Sequence, residues 1–199
     1  MTRLLACTAT ELEGRLLVAA GIPVLVTGVG PVTAALALAR HLERDPVDRI
    51  VVCGVGGAYP GSGIEVGEVA CAETETYGDL GAETPDGFLP LGDLGIPGVG
   101  DEDQTFALDL FPTERRARFV TCSTCTGTDA RARSLRERTG ADVESMEGAA
   151  LVQVAREFGI AIGEVRGISN PVGNRDRSAW RIEEAAEAAQ GELLRWLNA

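Results

Sequence analysis

Short apolar runs alternate with helix-patterned segments along almost the whole chain, and glycines punctuate the joins. The runs fall at 4–9, 22–27, 49–52, 68–77, 118–121, 142–145 and 161–169, and their composition and length read as strands. Between them, 10–20, 32–43, 147–158 and 178–197 repeat apolar residues at helical spacing. A further helix is expected from a cap at Thr128 or Asp129 to about Arg138. Alternation of this kind predicts a largely parallel sheet with helices on both faces. A chain of 199 residues that is 45% hydrophobic suits one domain, 1–199, with a substantial core. Two stretches lack periodicity. The glycine run 54–63 reads as flexible, and 78–103 reads as a long loop, a length that usually signals function or poor order.

Composition removes several functions. The net charge is −12, so no basic stripe for nucleic acid is available. All 18 basic residues are arginine, which excludes Schiff-base chemistry and a Walker lysine. No window reaches the ~20 apolar residues that span a bilayer. The start, Met1 to Cys7, reads as too short for a signal peptide. Five irregularly spaced cysteines suit reduced thiols, so a soluble, cytoplasmic protein is expected.

Gly28-Val29-Gly30 follows a strand and opens a helix, as a dinucleotide turn would. The acid such a site needs is misplaced, because Asp45 and Asp48 precede their strand. Tight strand–helix packing is the plainer reading. Cys122 and Cys125 have the spacing of half a zinc site, with no second pair to complete it. The single histidine, His41, sits where it would satisfy helix-end carbonyls. No metal and no cofactor are therefore expected. The carboxylates remain. Glu11 and Glu13 follow the first strand, Glu147 follows the strand at 142–145, and Asn170 follows the strand at 161–169. In a parallel sheet their loops would emerge along one carboxyl edge, where such folds bind small molecules. Singly, each acid could be no more than a first-turn residue favoured by the helix dipole.

Ser145-Met146-Glu147-Gly148-Ala149-Ala150 followed by Val165-Arg166-Gly167-Ile168-Ser169 resembles the nucleoside phosphorylase and nucleosidase superfamily. The resemblance extends to Thr10-Glu11-Leu12-Glu13, Thr27-Gly28-Val29-Gly30 and Gly56-Gly57-Ala58-Tyr59-Pro60. Tyr77 to Glu83 and Ser169 to Arg177 are most similar to its futalosine-hydrolysing branch, which serves an alternative menaquinone pathway. The resemblance implies a three-layer α/β phosphorylase/hydrolase-like fold, with a mixed, mostly parallel twisted sheet flanked by helices. It also implies a homodimer or larger homo-oligomer.

The implied reaction is hydrolysis of an N-glycosidic bond with water as nucleophile, releasing hypoxanthine from futalosine. Positive charge develops on the ribose and negative charge on the departing purine. By resemblance Glu147 grips the ribose hydroxyls and Met146 packs on the sugar, while Val55, Gly56 and Gly57 line the substrate site. Glu13 matches the carboxylate that activates water, with Glu11 as the alternative. Asn170 stands where adenine-specific nucleosidases carry Asp. Its amide offers two donors, which suit the O6 and N7 acceptors of a 6-oxopurine. Gly54 stands where the family commonly has Ser. Futalosine carries a benzoate beyond the ribose, so Arg175 and Arg177 are candidates for its carboxylate and Trp180 for its ring. The alternatives are a methylthioadenosine/adenosylhomocysteine nucleosidase, disfavoured by Asn170, and a purine nucleoside phosphorylase. The latter is disfavoured because Glu11 and Glu13 would repel phosphate. A non-catalytic nucleoside-binding protein would not need Glu13.

Overall fold

The computed structural model describes residues 3–100, 104–108, 110 and 115–198. Strand β1 (Leu4–Thr8) leads through a 3-10 turn (Leu12–Gly14) into α1 (Arg15–Ala19), then β2 (Val24–Val26) and α2 (Pro31–Leu42). The helix expected over 10–20 thus occupies only its second half. A long β3 (Arg49–Ala58) follows, then β4 (Val69–Tyr77), a hairpin of β5 (Gly81–Thr84) and β6 (Gly87–Pro90), and β7 (Thr105–Ala107). The chain closes with β8 (Arg116–Thr121), α3 (Asp129–Thr139), β9 (Val143–Ser145), α4 (Gly148–Glu157), β10 (Ala161–Pro171) and α5 (Ile182–Leu197).

Alternation along β3 shows how the layers form. Ile50 and Val52 join the apolar cluster containing Ala34, Leu38, Leu151 and Val152, beneath α2 and α4. Val51 and Cys53 point the other way, into a cluster with Leu17, Ala189 and Leu193 beneath α1 and α5. Side chains on a strand alternate between faces, so one run of apolar residues serves both helical layers. Burial of each large aliphatic contributes roughly 1.5–3 kcal/mol.

The sheet is mixed, as the resemblance implies. β1, β2, β3 and β10 run parallel to one another, whereas β10–β4 and β3–β9 are antiparallel. Strand β10 pairs with both β3 and β4, and β8 with both β4 and β9, so β3, β10, β4, β8 and β9 close into a ring. Arg49–Val52 of β3 carries β1 on one edge, and Gly57 and Ala58 carry β9 at its other end. Three sequence expectations fail here. The glycine run at 54–58 is strand rather than flexible loop. The loop at 78–103 contains the β5–β6 hairpin, and its last residues, 101–103, lie outside the described residues. β9 also runs against β3, so Glu147 does not emerge on the carboxyl edge shared by β1 and β10.

The N-terminal cap of α3 is as the sequence suggests. Thr128 accepts the Arg131 N–H at 3.2 Å at the start of α3, and Gly140 ends that helix at φ 65°. α5 starts four residues later than expected, after a 3-10 turn at Arg177–Ala179.

Candidate active site

The split in β3 makes the site. β1 arrives beside Val52 and stops, and β9 comes from the opposite direction and stops beside Gly57. Neither strand reaches Val55, so its N–H is available to a side chain. The Glu13 Oε1 accepts it at 2.9 Å. The Glu13 Oε2 accepts the Thr10 N–H at 2.9 Å and the Thr10 hydroxyl at 2.7 Å. Three donors therefore fix this carboxylate, which is only 4% exposed. Glu11 lies exposed on the same turn, so the geometry separates the two acids that the sequence left open.

Glu147 comes from the other side. It stands immediately before α4, where the helix dipole favours its charge, without a side-chain hydrogen bond to the helix. Its Oε1 accepts the Gly30 N–H at 3.1 Å, and its Oε2 accepts from both terminal nitrogens of Arg166 at 3.4 Å. Gly30 has φ 95°, a left-handed conformation that costs glycine little, and this aims its N–H at the carboxylate. The Gly28-Val29-Gly30 turn thus supports an acid of the site. Tight packing alone does not account for it.

Arg166 joins the two halves. Its Nη1 donates to the Val55 carbonyl at 3.1 Å, on the same residue whose N–H goes to Glu13. Its Nε donates to Glu164 at 2.7 Å. Burial alone would depress its pKa, but Glu164, Glu147 and Glu13 outweigh burial and raise it, so the guanidinium stays charged. Gly54 lies opposite Arg166 in the β3–β10 ladder. A Cβ on Gly54 would sit 2.6 Å from Glu13 Oε1 and 2.8 Å from Arg166 Nη1, so no side chain fits where the family commonly has Ser.

Sequence reasoning gave Arg166 no role. The available signal was a charged pair, Glu164 and Arg166, two residues apart inside an otherwise apolar strand. Such residues are rarely buried unless paired.

Glu13 and Glu147 face a cavity of about 270 Å³. Glu13, Val55, Gly56, Gly57, Met146, Glu147, Asn170, Arg175 and Trp180 all line it, together with Thr10, Val29, Cys125 and Ser169. Arg177 does not line it. It opens the 3-10 turn capped by Asp176, and its guanidinium stands 6.0 Å from the Trp180 ring. Arg175 lies 4.6 Å over that ring, close enough for a cation–π contact. Its loop is anchored by Asn174, which donates through its backbone and side chain to Asp129 at 2.9 and 2.6 Å.

Asn170 is not beyond its strand, as the sequence suggested, but within it. The β3–β10 register slips between Ile168 and Asn170, leaving Ser169 as a bulge. A bulge bends the strand and redirects its side chains. The Asn170 Oδ1 accepts from the Ser169 hydroxyl at 2.7 Å, and its Nδ2 donates to the Pro171 carbonyl at 3.0 Å. One N–H of the amide is left for a ligand.

On the pocket wall, Glu144 accepts the Tyr59 hydroxyl at 2.6 Å and both the N–H and hydroxyl of Thr126, at 2.8 and 2.6 Å. This holds the segment bearing Cys125 against Met146, with the two sulfurs 3.1 Å apart.

Known proteins resemble this chain in sequence or in fold. Futalosine hydrolase of Streptomyces coelicolor is 43% identical over 177 residues, covering 84% of this chain and 75% of that protein. Futalosine hydrolase of Thermus thermophilus is 36% identical over 187 residues, covering 89% and 81%. Among solved structures, the 5′-methylthioadenosine/S-adenosylhomocysteine nucleosidase of S. pneumoniae, bound to a transition-state inhibitor, superposes with a TM-score of 0.83. It is 19% identical, and the match covers 98% of both chains. The corresponding Helicobacter pylori nucleosidase gives a TM-score of 0.84 at 14% identity, over 100% of this chain and 98% of that one. These two likenesses establish the fold. The sequence pattern of the phosphorylase superfamily matches residues 14–198, and the chain belongs to that superfamily.

Proposed function

We propose that residues 1–199 form one nucleosidase domain that hydrolyses the N-glycosidic bond of futalosine, releasing hypoxanthine. The observation that carries this reading is the pair of buried carboxylates lining one cavity with an amide, Asn170: Glu13 is held by Val55, and Glu147 by Gly30 and Arg166. The relatives named futalosine hydrolase support the choice of substrate.

Glu147 accepts hydrogen bonds from the ribose hydroxyls, and its charge favours the cationic sugar of the transition state. Met146 packs against the ribose. Glu13 orients a water facing the anomeric carbon and takes its proton as the new C–O bond forms. The electron pair of the broken bond leaves with the purine. The free Asn170 N–H donates to an acceptor of the 6-oxopurine. A 6-amino group there would leave two donors facing each other, a mismatch costing roughly 1–3 kcal/mol. Arg175, stacked on Trp180, meets the distal carboxylate.

The test is release of free base from futalosine, inosine and methylthioadenosine, each with and without phosphate. Hypoxanthine from futalosine without phosphate is the expected result. Adenine from methylthioadenosine would overturn the role given to Asn170, and a requirement for phosphate would make the protein a phosphorylase. In the same assay Arg175→Ala is expected to raise KM for futalosine about tenfold, as loss of one partly exposed charged hydrogen bond would. An unchanged KM removes Arg175 from the site.

A homo-oligomer is part of this proposal. Val26, Val29, Val32 and Leu36 are 45–71% exposed around the start of α2, beside the pocket that Val29 lines. Clustered apolar exposure of this kind suits a subunit interface, and sedimentation equilibrium would show a monomer if it is not one. Among the described residues no helix is long and apolar enough to cross a membrane. None of the five cysteines forms a disulfide, which suits the reducing cytosol.

A further inference from the structure

Behind the cavity, the ring of strands encloses charge where an apolar core would be expected. Glu164 and Arg166 point inward from β10, and Glu75 points inward from β4. Both glutamates are 0% exposed and Arg166 is 2% exposed. The Arg166 Nε donates to Glu164 Oε1 at 2.7 Å. Glu75 Oε1 accepts the Thr121 hydroxyl at 3.0 Å and lies 3.4 Å from the Ser145 hydroxyl, while its Oε2 accepts the Thr76 N–H at 2.9 Å.

The remaining oxygen, Glu164 Oε2, is buried and has no donor among the described groups. Glu75 Oε1 and Glu164 Oε2 both crowd the first residue of α4. A Cβ on Gly148 would lie 1.9 Å from the first and 2.5 Å from the second. Two carboxyl oxygens brought to one point in a dry interior repel if both are charged, and a single shared proton turns the repulsion into a hydrogen bond. That proton also supplies the donor that Glu164 Oε2 lacks. It belongs on Glu75, because Glu164 is bonded directly to the guanidinium.

We infer that Glu75 and Glu164 are a one-proton carboxyl pair that positions Arg166, and through it Glu147, for the reaction proposed above. The inference rests on that reading for its catalytic part only. Glu164 holds the Nε edge of the guanidinium, and this leaves the two terminal nitrogens directed at Glu147 and Val55. Gly148, the residue after Glu147, exists to let the pair approach the helix start. Neither glutamate touches the cavity, so both are positioning residues.

The electrostatics agree with this placement. Complete burial, then the charge of Glu164, hold Glu75 well above its ordinary value of 4.5, against the weaker pull of Arg166, Thr121 and Thr76. Burial also raises Glu164, opposed by Arg166. The other titratable groups near the pair do not compete for the proton. Burial pushes Tyr77 and Cys53 to about 12 and raises Cys122 further. Glu13 and Glu147 face Arg166 from the cavity side. Because Glu75 is raised, its neutral form is fully present at low pH. As pH climbs from the ordinary value through the folded-state value, the pair gains a second negative charge and pulls Arg166 out of line.

The experiment compares the wild type, Glu164→Gln and Glu75→Gln by infrared spectroscopy and by the pH profile of kcat/KM. At neutral pH the wild type should show the carbonyl stretch of a protonated carboxyl group, and Glu75→Gln should lack it. The wild-type kcat/KM should fall on the alkaline side, and Glu75→Gln should lose that fall, since an amide cannot ionise. Glu164→Gln should lower kcat about 10²-fold, in line with loss of one preorganised electrostatic contact. A wild type without the band, an alkaline fall shared by Glu75→Gln, or full activity in Glu164→Gln would overturn the inference. Should Glu164→Gln fail to fold, the other two proteins decide. A wild type that shows the band but releases no base overturns the nucleosidase reading and leaves the pair standing.

Discussion

Glu13→Gln is expected to lower kcat for base release about 10³-fold while KM stays within a few-fold, the range associated with loss of a general base. The substitution keeps the size of the side chain and removes its ability to take a proton. It has a structural cost that must be separated from the chemical one. Both carboxylate oxygens of Glu13 accept hydrogen bonds, from Val55 on one side and Thr10 on the other. An amide has one acceptor oxygen, so its NH₂ must face a donor whichever way it is turned. That mismatch costs roughly 1–3 kcal/mol, which in a chain of this size lowers Tm by about 2–4 °C per kcal/mol. Thermal melts together with single-turnover rates at saturating futalosine keep the two effects apart. Glu11→Gln serves as the control, because Glu11 is exposed on the same turn and should leave both numbers near wild type. Activity within tenfold of wild type in Glu13→Gln, with a loss in Glu11→Gln, would reverse the assignment.

Seven of the ten strands, but not β5, β6 or β7, and most helices were legible in the sequence because each has a local signature. Apolar runs of strand length, Pro31 opening α2 and Thr128 capping α3 all act within a few residues of where they stand. The glycine stretch of β3 was misread for a physical reason. Glycine marks loops when its conformational freedom is being used, but at Gly54 only its small size matters, and that depends on Glu13 and Arg166, 41 and 112 positions away. The β5–β6 hairpin was missed because its strands are four residues each and carry Gly81, Gly87 and Pro90, residues that read as turn signals.

Most site residues were legible through the Met146-Glu147 motif and its companions. The direction in which Glu147 arrives was not, since it depends on β9 running antiparallel to β3. Strand direction is a tertiary property, and a three-residue strand such as β9 carries no local sign of it. Arg166, Glu164 and Glu75 were overlooked for a related reason. Read alone, each interrupts an apolar pattern. Glu164 and Arg166 could be paired within β10, but Glu75 becomes their neighbour only when β4 and β10 are laid side by side.

Glu147→Gln is expected to lower kcat/KM by about 10³-fold, and unlike Glu13→Gln it should affect KM as well as kcat. A carboxylate that grips the ribose hydroxyls acts in the bound ground state and more strongly in the cationic transition state, so both parameters depend on it. Removing its charge also leaves Arg166 with Glu164 as its single charged hydrogen-bond partner, which weakens the fold through partial loss of a buried ion pair. A drop in activity alone would therefore not identify a ribose contact. A second substrate supplies the missing discrimination. Wild-type protein should prefer futalosine to its 2′-deoxy analogue by about 10²-fold, because one charged hydrogen bond at the sugar is absent. In Glu147→Gln that preference should shrink by at least about tenfold, since the partner that reads the hydroxyl has lost its charge. An unchanged preference would mean that Glu147 acts on the fold or on Arg166 without touching the ribose.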